Sequence, residues 1–294
     1  MIKLTDTIYL LPGRNNGRFP YCHCLYIRDD VCGLIDSAAG DECLEPVLGR
    51  VDVLVNSHFH PDHVRGNDRF GEAQILCHED DRPALVSYDE MLRYTGYDRF
   101  TPEEIATFMP LLDHRPSRVD KSYSDGDILD FGRTKLRVIH APGHTPGHCC
   151  FYEEKTGLMF GADIDLTRFG PWYAHEYSNL ETFRETMEKI TGINPAIFVS
   201  GHEDACVRDN VIKRLKDYAA TFAERDDKIL RALHKPHTLD ELAARQLIYP
   251  RHPQPKLLFY YFERQMIKKH LQTLERQGNI FCRQGIYTTA QFPC

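Results

Sequence analysis

His58-Phe59-His60-Pro61-Asp62-His63 sets three imidazoles and one carboxylate within six residues, directly after the apolar run 51–55. Imidazole and carboxylate donors together suit zinc, iron or manganese. Side chains alternate along an extended chain, so His58 and His60 can point to one side while Asp62 and His63 turn across the loop. One short segment then feeds two metal centres. Three more loops carry donors of the same kind: Pro142-Gly143-His144-Thr145-Pro146-Gly147-His148, Gly161-Ala162-Asp163 and Ser200-Gly201-His202. Each lies next to a run that reads as a buried strand, over 136–139, 158–160 and 196–199. Glycine and proline mark the loops. Chemistry carried on loops and held by a rigid scaffold is a common arrangement.

Taken in order, HFHPDH, PGHTPGH, GAD and SGH resemble the metallo-β-lactamase superfamily, over roughly residues 8 to 202. The resemblance implies an α+β fold, a sandwich of two mixed sheets with helices outside and a metal pair at one edge. It also implies roles. His58, His60 and His144 would hold a first divalent metal ion, Asp62, His63 and His202 a second, and Asp163 would bridge them. The pair is expected to be zinc, with iron or manganese compatible with the same donors. The sequence departs from the family pattern at three places. Arg65 stands in Val64-Arg65-Gly66-Asn67 where glycine is common. Ala162 separates Gly161 from Asp163 where Gly-Asp is usual, which makes Asp165 a rival for the bridge. His23 sits where asparagine is common.

The chain has 294 residues, 42% of them hydrophobic, enough for a sizeable core. It holds no run of the roughly 20 apolar residues that spans a bilayer. Its start, Met1-Ile2-Lys3-Leu4-Thr5-Asp6, is too polar for a secretory signal. Ten cysteines are scattered, most of them in apolar runs (Cys77, Cys149, Cys150, Cys206). A reduced, cytoplasmic protein without membrane contact is expected. Net charge is −7, unevenly spread. Residues 1–207 hold 20 Lys and Arg against 34 Asp and Glu, or −14, whereas residues 208–294 hold 16 against 9, or +7.

This asymmetry parallels a change of pattern. Residues 1–207 read as the catalytic domain, interrupted by a helical insertion over 79–118 that is expected to wall the substrate pocket. Residues 208–225 read as a connecting helix. Residues 226–294 read as three helical segments and a strand pair, opened by the capping box Thr238-Leu239-Asp240-Glu241. That order resembles a winged-helix module, which follows the metallo-β-lactamase domain in lactamase-β-like endoribonucleases. Lys268, Lys269, His270 and Arg276 would then lie on the reading helix, as phosphate contacts require. Nucleic-acid contact, partner docking and homodimerisation are all uses of such modules.

The full donor set favours a two-metal hydrolase acting on a small ester, thioester or lactone, with a bridging hydroxide as nucleophile. Asp62 is the candidate to orient that nucleophile and take its proton. The alternatives are cleavage of single-stranded RNA, supported by the basic tail, and a one-iron persulfide dioxygenase. His23, Tyr173 and His175 are candidate substrate contacts. His140 and His148 flank the PGHTPG loop as supporting partners of the ligands. Cys22-His23-Cys24 lacks the second ligand pair that zinc would need and reads as structural.

Overall fold

The computed structural model describes residues 1–290. Seven strands form a first sheet in sequential order: β1 (Ile2–Lys3), β2 (Ile8–Leu11), β3 (Cys24–Ile27), β4 (Gly33–Ile35), β5 (Val53–Val55), β6 (Gln74–His78) and β7 (Lys121–Tyr123). Pairing is antiparallel from β1 to β4 and parallel from β4 to β7. A second sheet holds β8 (Ile128–Asp130), β9 (Lys135–His140), β10 (Cys149–Glu153), β11 (Leu158–Phe160), β12 (Ile197–Val199) and β13 (Cys206–Val207), arranged in reverse order with only β11 and β12 parallel.

The first sheet is covered on both faces, which is why its strands read as continuous apolar runs and not as alternation. Ile8, Leu25, Ile35 and Val55 point inward, against Leu136, Val138, Phe151 and Phe160 of the second sheet. Leu11, Tyr26, Leu34 and Leu54 point the other way, under α1 (Asp41–Leu44) and Phe70. The α+β sandwich of two mixed sheets expected from the motifs is present. Cys77, Cys149 and Cys150 are buried small core residues, and all described cysteines are free. Cys206 differs from the expectation: it is exposed, because β13 is an edge strand.

Between β6 and β7 run the helices α3 (Arg82–Val86), α4 (Tyr88–Thr95) and α5 (Pro102–Leu112), after the single-turn α2 (Pro61–Val64). The sequence starts and stops them. Ser87 caps α4 and Gly96 ends it in the left-handed region. Thr101 and Glu104 form a capping box on α5 with Pro102 at the first turn. Arg65, the residue in a glycine position, ties this segment down. Its guanidinium donates to the Pro20 carbonyl (2.9 Å) and to Asp113 at the end of α5 (3.0 Å). Gly66 beside it is required, since a Cβ there would lie 2.1 Å from the Ser37 carbonyl oxygen.

The remaining helices are α6 (Leu180–Ile193), α7 (Val211–Ala232), α8 (Leu239–Ala244) and α9 (Lys256–Arg276). A small antiparallel sheet runs in the order β14 (His237–Thr238, between α7 and α8), β16 (Ile286–Thr289), β15 (Ile280–Arg283). α7 runs unbroken through residue 225. Its Leu215, Phe222 and Ile229 join one core cluster with Phe59, Tyr97 and Tyr173 and with Met266, Leu271 and Leu274 of α9. The last helix therefore shares a core with the sandwich. The four basic residues expected on its reading face are engaged within the chain. Lys269 donates to the His175 carbonyl (2.7 Å), His270 contacts Asp226 (2.6 Å), Lys268 lies 3.7 Å from Glu176, and Arg276 lies 2.8 Å from Glu181. Among the described residues no helix is long and apolar enough to cross a membrane.

Candidate metal centre

Four strands deliver donors to one edge of the sandwich. β5 and its neighbour β4 are parallel, as are β11 and β12, so their carboxyl ends lie together in pairs. β5 leads into His58, β11 into Asp163 and β12 into His202, while the β9–β10 connection carries His144. The last turn depends on Gly143, at φ +126°, where a Cβ would meet the Phe183 backbone at about 2.5 Å.

The donors meet in two groups. His58, His60, His144 and Asp163 form one, and Asp62, His63 and His202 the other. Asp163 reaches both. Its Oδ2 lies 3.0 Å from His144 Nε2 and 3.9 Å from His58 Nε2, and its Oδ1 lies 2.7 Å from His63 Nε2 and 3.2 Å from His202 Nε2. Asp165, the rival, turns elsewhere and accepts from the Thr167 N–H. Ala162 takes up the extra position with φ +46°. The side chains of Asp62, Asp163 and His202 keep 12%, 13% and 11% exposure, so the mouth of the centre lies on their side.

Each imidazole is oriented from behind. His144 Nδ1 donates to the Trp172 carbonyl (2.9 Å) and His202 Nδ1 to the Gly17 carbonyl. His63 Nδ1 contacts Asp36 (2.8 Å), His58 Nδ1 contacts Ser57 Oγ (3.0 Å), and His60 Nε2 contacts His175 Nδ1 (2.8 Å). A proton on an outer nitrogen leaves the inner one with its lone pair. His63 Nε2 and His202 Nε2 then face each other at 3.1 Å, and His58 Nε2 is buried with no hydrogen-bond partner. Such a convergence is stable only around positive charge. Burial opposes protonation of His63 and His202, yet Asp163 and its neighbours prevail, holding His63 well above its ordinary range and His202 up to about 9. Burial likewise opposes ionisation of Asp163, and the surrounding imidazoles hold it well below the usual carboxylate range. His58 and His60, buried among other imidazoles, are held well below theirs and are neutral. The donor set therefore fits two divalent cations.

Two buried aspartates absent from the motif reading brace the loops. Asp36, at φ +61°, accepts from Ser57 N–H (2.7 Å) and Ser57 Oγ (2.8 Å) besides His63. The available signal was an acidic residue closing the apolar run 33–35. Asp81 accepts from Phe59 N–H (3.1 Å), Thr145 Oγ1 (2.7 Å) and Gly147 N–H (2.6 Å), tying the HFHPDH loop to the PGHTPGH loop. Burial pushes its carboxyl up to about 6 against those three donors. Asp81→Ala should lower unfolding stability by about 2–6 kcal/mol, since two buried N–H groups lose their acceptor at about 1–3 kcal/mol each. Denaturant unfolding checks this, and a loss under about 0.5 kcal/mol, the scale of an ordinary surface substitution, would refute it.

The weaker candidates are sorted by their partners. His148 accepts from Asp163 N–H (3.2 Å) and donates to the Ala141 carbonyl, so it supports a ligand. His140 stacks on His78 (4.1 Å between centroids) and bonds the Pro146 carbonyl, away from both groups. Three expected substrate contacts are not at the rim. Tyr173 is fully buried, with its hydroxyl on His270 (2.6 Å) and Arg225 (2.9 Å), because the C-terminal helices cover it. His23 is 1% exposed and locked between Gly13 N–H and the Glu203 carbonyl. His175 is 7% exposed and has both ring nitrogens bonded. The half-buried Trp172 packs beside the centre, its ring 5.8 Å from that of His60 and 5.6 Å from that of His144, and against Phe262 of α9.

The sequence model of the metallo-beta-lactamase superfamily matches residues 48–202, the stretch that carries every donor described above. The chain belongs to the metallo-beta-lactamase superfamily. As a member of that superfamily it is a hydrolase-class enzyme whose relatives bind divalent metals. It is 44% identical over 140 residues to a hydroxyacylglutathione hydrolase of Chelativorans sp. (strain BNC1), covering 45% of this chain and 42% of that protein. It is 27% identical over 128 residues to the human acyl-coenzyme A thioesterase MBLAC2, covering 42% and 44%. The match thus spans less than half the length of either relative. The crystal structure of the metallo-beta-lactamase family protein TTHA1429 from Thermus thermophilus superposes on 98% of this chain and 100% of its own at a TM-score of 0.73, with 22% identity. At that identity the likeness is one of fold, and it extends through the C-terminal helices.

Proposed function

We propose that this superfamily member is a dinuclear metal-dependent hydrolase of small acyl compounds, with thioesters first, then esters and lactones. The observation that carries the proposal is the single carboxylate, Asp163, reaching two separate donor groups. In this reading His58, His60 and His144 hold one ion, Asp62, His63 and His202 the other, and Asp163 lies between them, with zinc as the ion. Bound there, the pair supplies Lewis acidity and a nucleophile at neutral pH. Asp62, at the solvent-facing edge, orients that nucleophile, accepts its proton and returns it to the departing thiol or alcohol. Trp172 walls the side next to His60 and His144 and excludes water from the acyl group. The names of the hydroxyacylglutathione hydrolase and acyl-coenzyme A thioesterase relatives support acyl substrates.

Elemental mass spectrometry on protein purified without added metal tests the metal half. Two zinc ions per chain, with turnover of acyl-thioesters and none of single-stranded RNA, is the expected result. A single iron, or RNA cleavage without acyl hydrolysis, would overturn it. The charge state of the centre gives a second test. His63 and His202 hold protons at pH 7 in the metal-free chain, and a cation must displace them. Metal uptake at pH 7 should therefore release on the order of one to two protons per chain, and affinity should fall progressively as pH drops below about 9, where His202 takes up its proton. Titration calorimetry in buffers of different ionisation enthalpy reads the release, and identical heats in all buffers would contradict it.

A further inference from the structure

Between the first turn of α6 and one face of α9 lies a cavity of about 170 Å³. That is room for about five or six water molecules at roughly 30 Å³ each. Asn179, Leu180 and Glu181 line it from α6, and Lys269, Thr273 and Arg276 from α9.

Donors with nothing to donate to converge on this cavity. α6 is 14 residues long, and its cap serves only part of the first turn: Asn179 Oδ1 accepts from Thr182 N–H (3.1 Å) and the Asn179 carbonyl from Phe183 N–H (3.0 Å). The Leu180 and Glu181 N–H groups come too early in the helix for an intrahelical acceptor, and the helix dipole adds partial positive charge there. Thr273 is 1% exposed, and its hydroxyl is buried without a hydrogen-bond partner. A threonine within a helix can bond the carbonyl four residues back; this one does not. Lys269 is 8% exposed. One of its three ammonium N–H groups goes to the His175 carbonyl (2.7 Å). Glu176, nearby, is engaged by Arg99 (2.9 Å), Gln265 (2.9 Å) and Lys268 (3.7 Å), and among the described residues no carboxylate is paired with Lys269. Burial pulls the Lys269 ammonium down to about 8, which leaves it mostly charged at pH 7.

A buried ammonium without a counter-charge and a buried hydroxyl without a partner each carry a desolvation cost that an anion would remove. Two carboxylates also border the cavity, but Glu176 is engaged as above and Glu181 is held by Arg276 (2.8 Å). Three cations, Lys268, Lys269 and Arg276, against these two leave the lining with one net positive charge. The donors approach from two helices. A planar carboxylate offers them two oxygens, whereas a terminal phosphate offers three.

We infer that the cavity between α6 and α9 is a binding site for a phosphate group, either inorganic phosphate or the terminal phosphate of a phosphorylated small molecule. The Thr273 hydroxyl, the Lys269 ammonium and the first-turn N–H groups of α6 hold its oxygens. The site is separate from the metal centre and does not depend on how many ions that centre holds.

Calorimetric titration of inorganic phosphate into the full chain, in phosphate-free buffer, tests this. Saturable binding of one phosphate is expected. Thr273→Val keeps the shape and removes the hydroxyl. It should weaken that binding by about 10- to 100-fold while melting no lower than wild type in phosphate-free buffer, since the hydroxyl has no partner to lose. Lys269→Met should weaken it at least as much. Glycerol 3-phosphate bound as tightly as inorganic phosphate points to a phosphorylated molecule as the ligand, and inorganic phosphate bound alone points to the free ion. Acetate or dimethyl phosphate bound as tightly as phosphate overturns the assignment of a terminal phosphate. Wild-type phosphate affinity in either variant overturns the site, including the case in which phosphate binds at the histidine-rich centre instead. Absence of saturable binding to the wild-type chain at millimolar phosphate overturns it as well.

Discussion

Asparagine in place of Asp163 should reduce bound metal from two equivalents to one or none and weaken any remaining site by at least about 100-fold. The reason is electrostatic before it is geometric. Among the described residues this carboxylate is the one negative group facing imidazoles of both donor groups, at 2.7 to 3.9 Å. Asparagine keeps the shape and loses the charge. Its NH2 group would point a donor at nitrogens that must stay bare to bind a cation. The second group then retains only Asp62 as an anion, and the first retains none. Turnover should fall by at least about 1000-fold, because both the nucleophile and the Lewis acidity depend on the pair. Elemental analysis and acyl-thioester hydrolysis on the same sample check this. Two equivalents at wild-type affinity would show that Asp163 is not the link between the groups.

Alanine in place of Asp62 should behave differently. Asp62 stands at the rim, 12% exposed, with its Oδ2 3.8 Å from His202 Nε2. The first donor group does not include it and keeps all its donors. Metal in that group should therefore persist, while kcat falls by about 100- to 10,000-fold for loss of a positioned general base. The split between retained metal and lost turnover separates a proton-transfer role from a purely ligating one. Asp62→Asn helps to apportion the two, since it restores size without basicity and should remain as slow as alanine. Wild-type kcat in either variant would remove Asp62 from the reaction.

Much of this centre is legible in the sequence because its donors are local. His58, His60, Asp62 and His63 share one turn, and His144, Asp163 and His202 each follow a short apolar strand that can be read by itself. The capping boxes at Thr101 and Thr238, and the helices they open, are equally local, depending on contacts three residues apart. The groups behind the ligands are not legible in that way. Asp81 accepts from residues 22, 64 and 66 positions away, and His175 meets His60 across 115 positions and Tyr97 across 78. No spacing rule links such residues. α9 shows the same limit. Its pattern marks Lys268, Lys269, His270 and Arg276 as a basic face, but the helix packs into the core shared with the sandwich, where those groups meet Glu176, a backbone carbonyl, Asp226 and Glu181. The sequence by itself determined the strands, the loops and the donors they carry, because each is set by short-range periodicity and turn chemistry. Only the tertiary structure decided which nitrogen of each histidine faces inward and what the last helix covers, because both depend on hydrogen-bond partners brought together from distant parts of the chain.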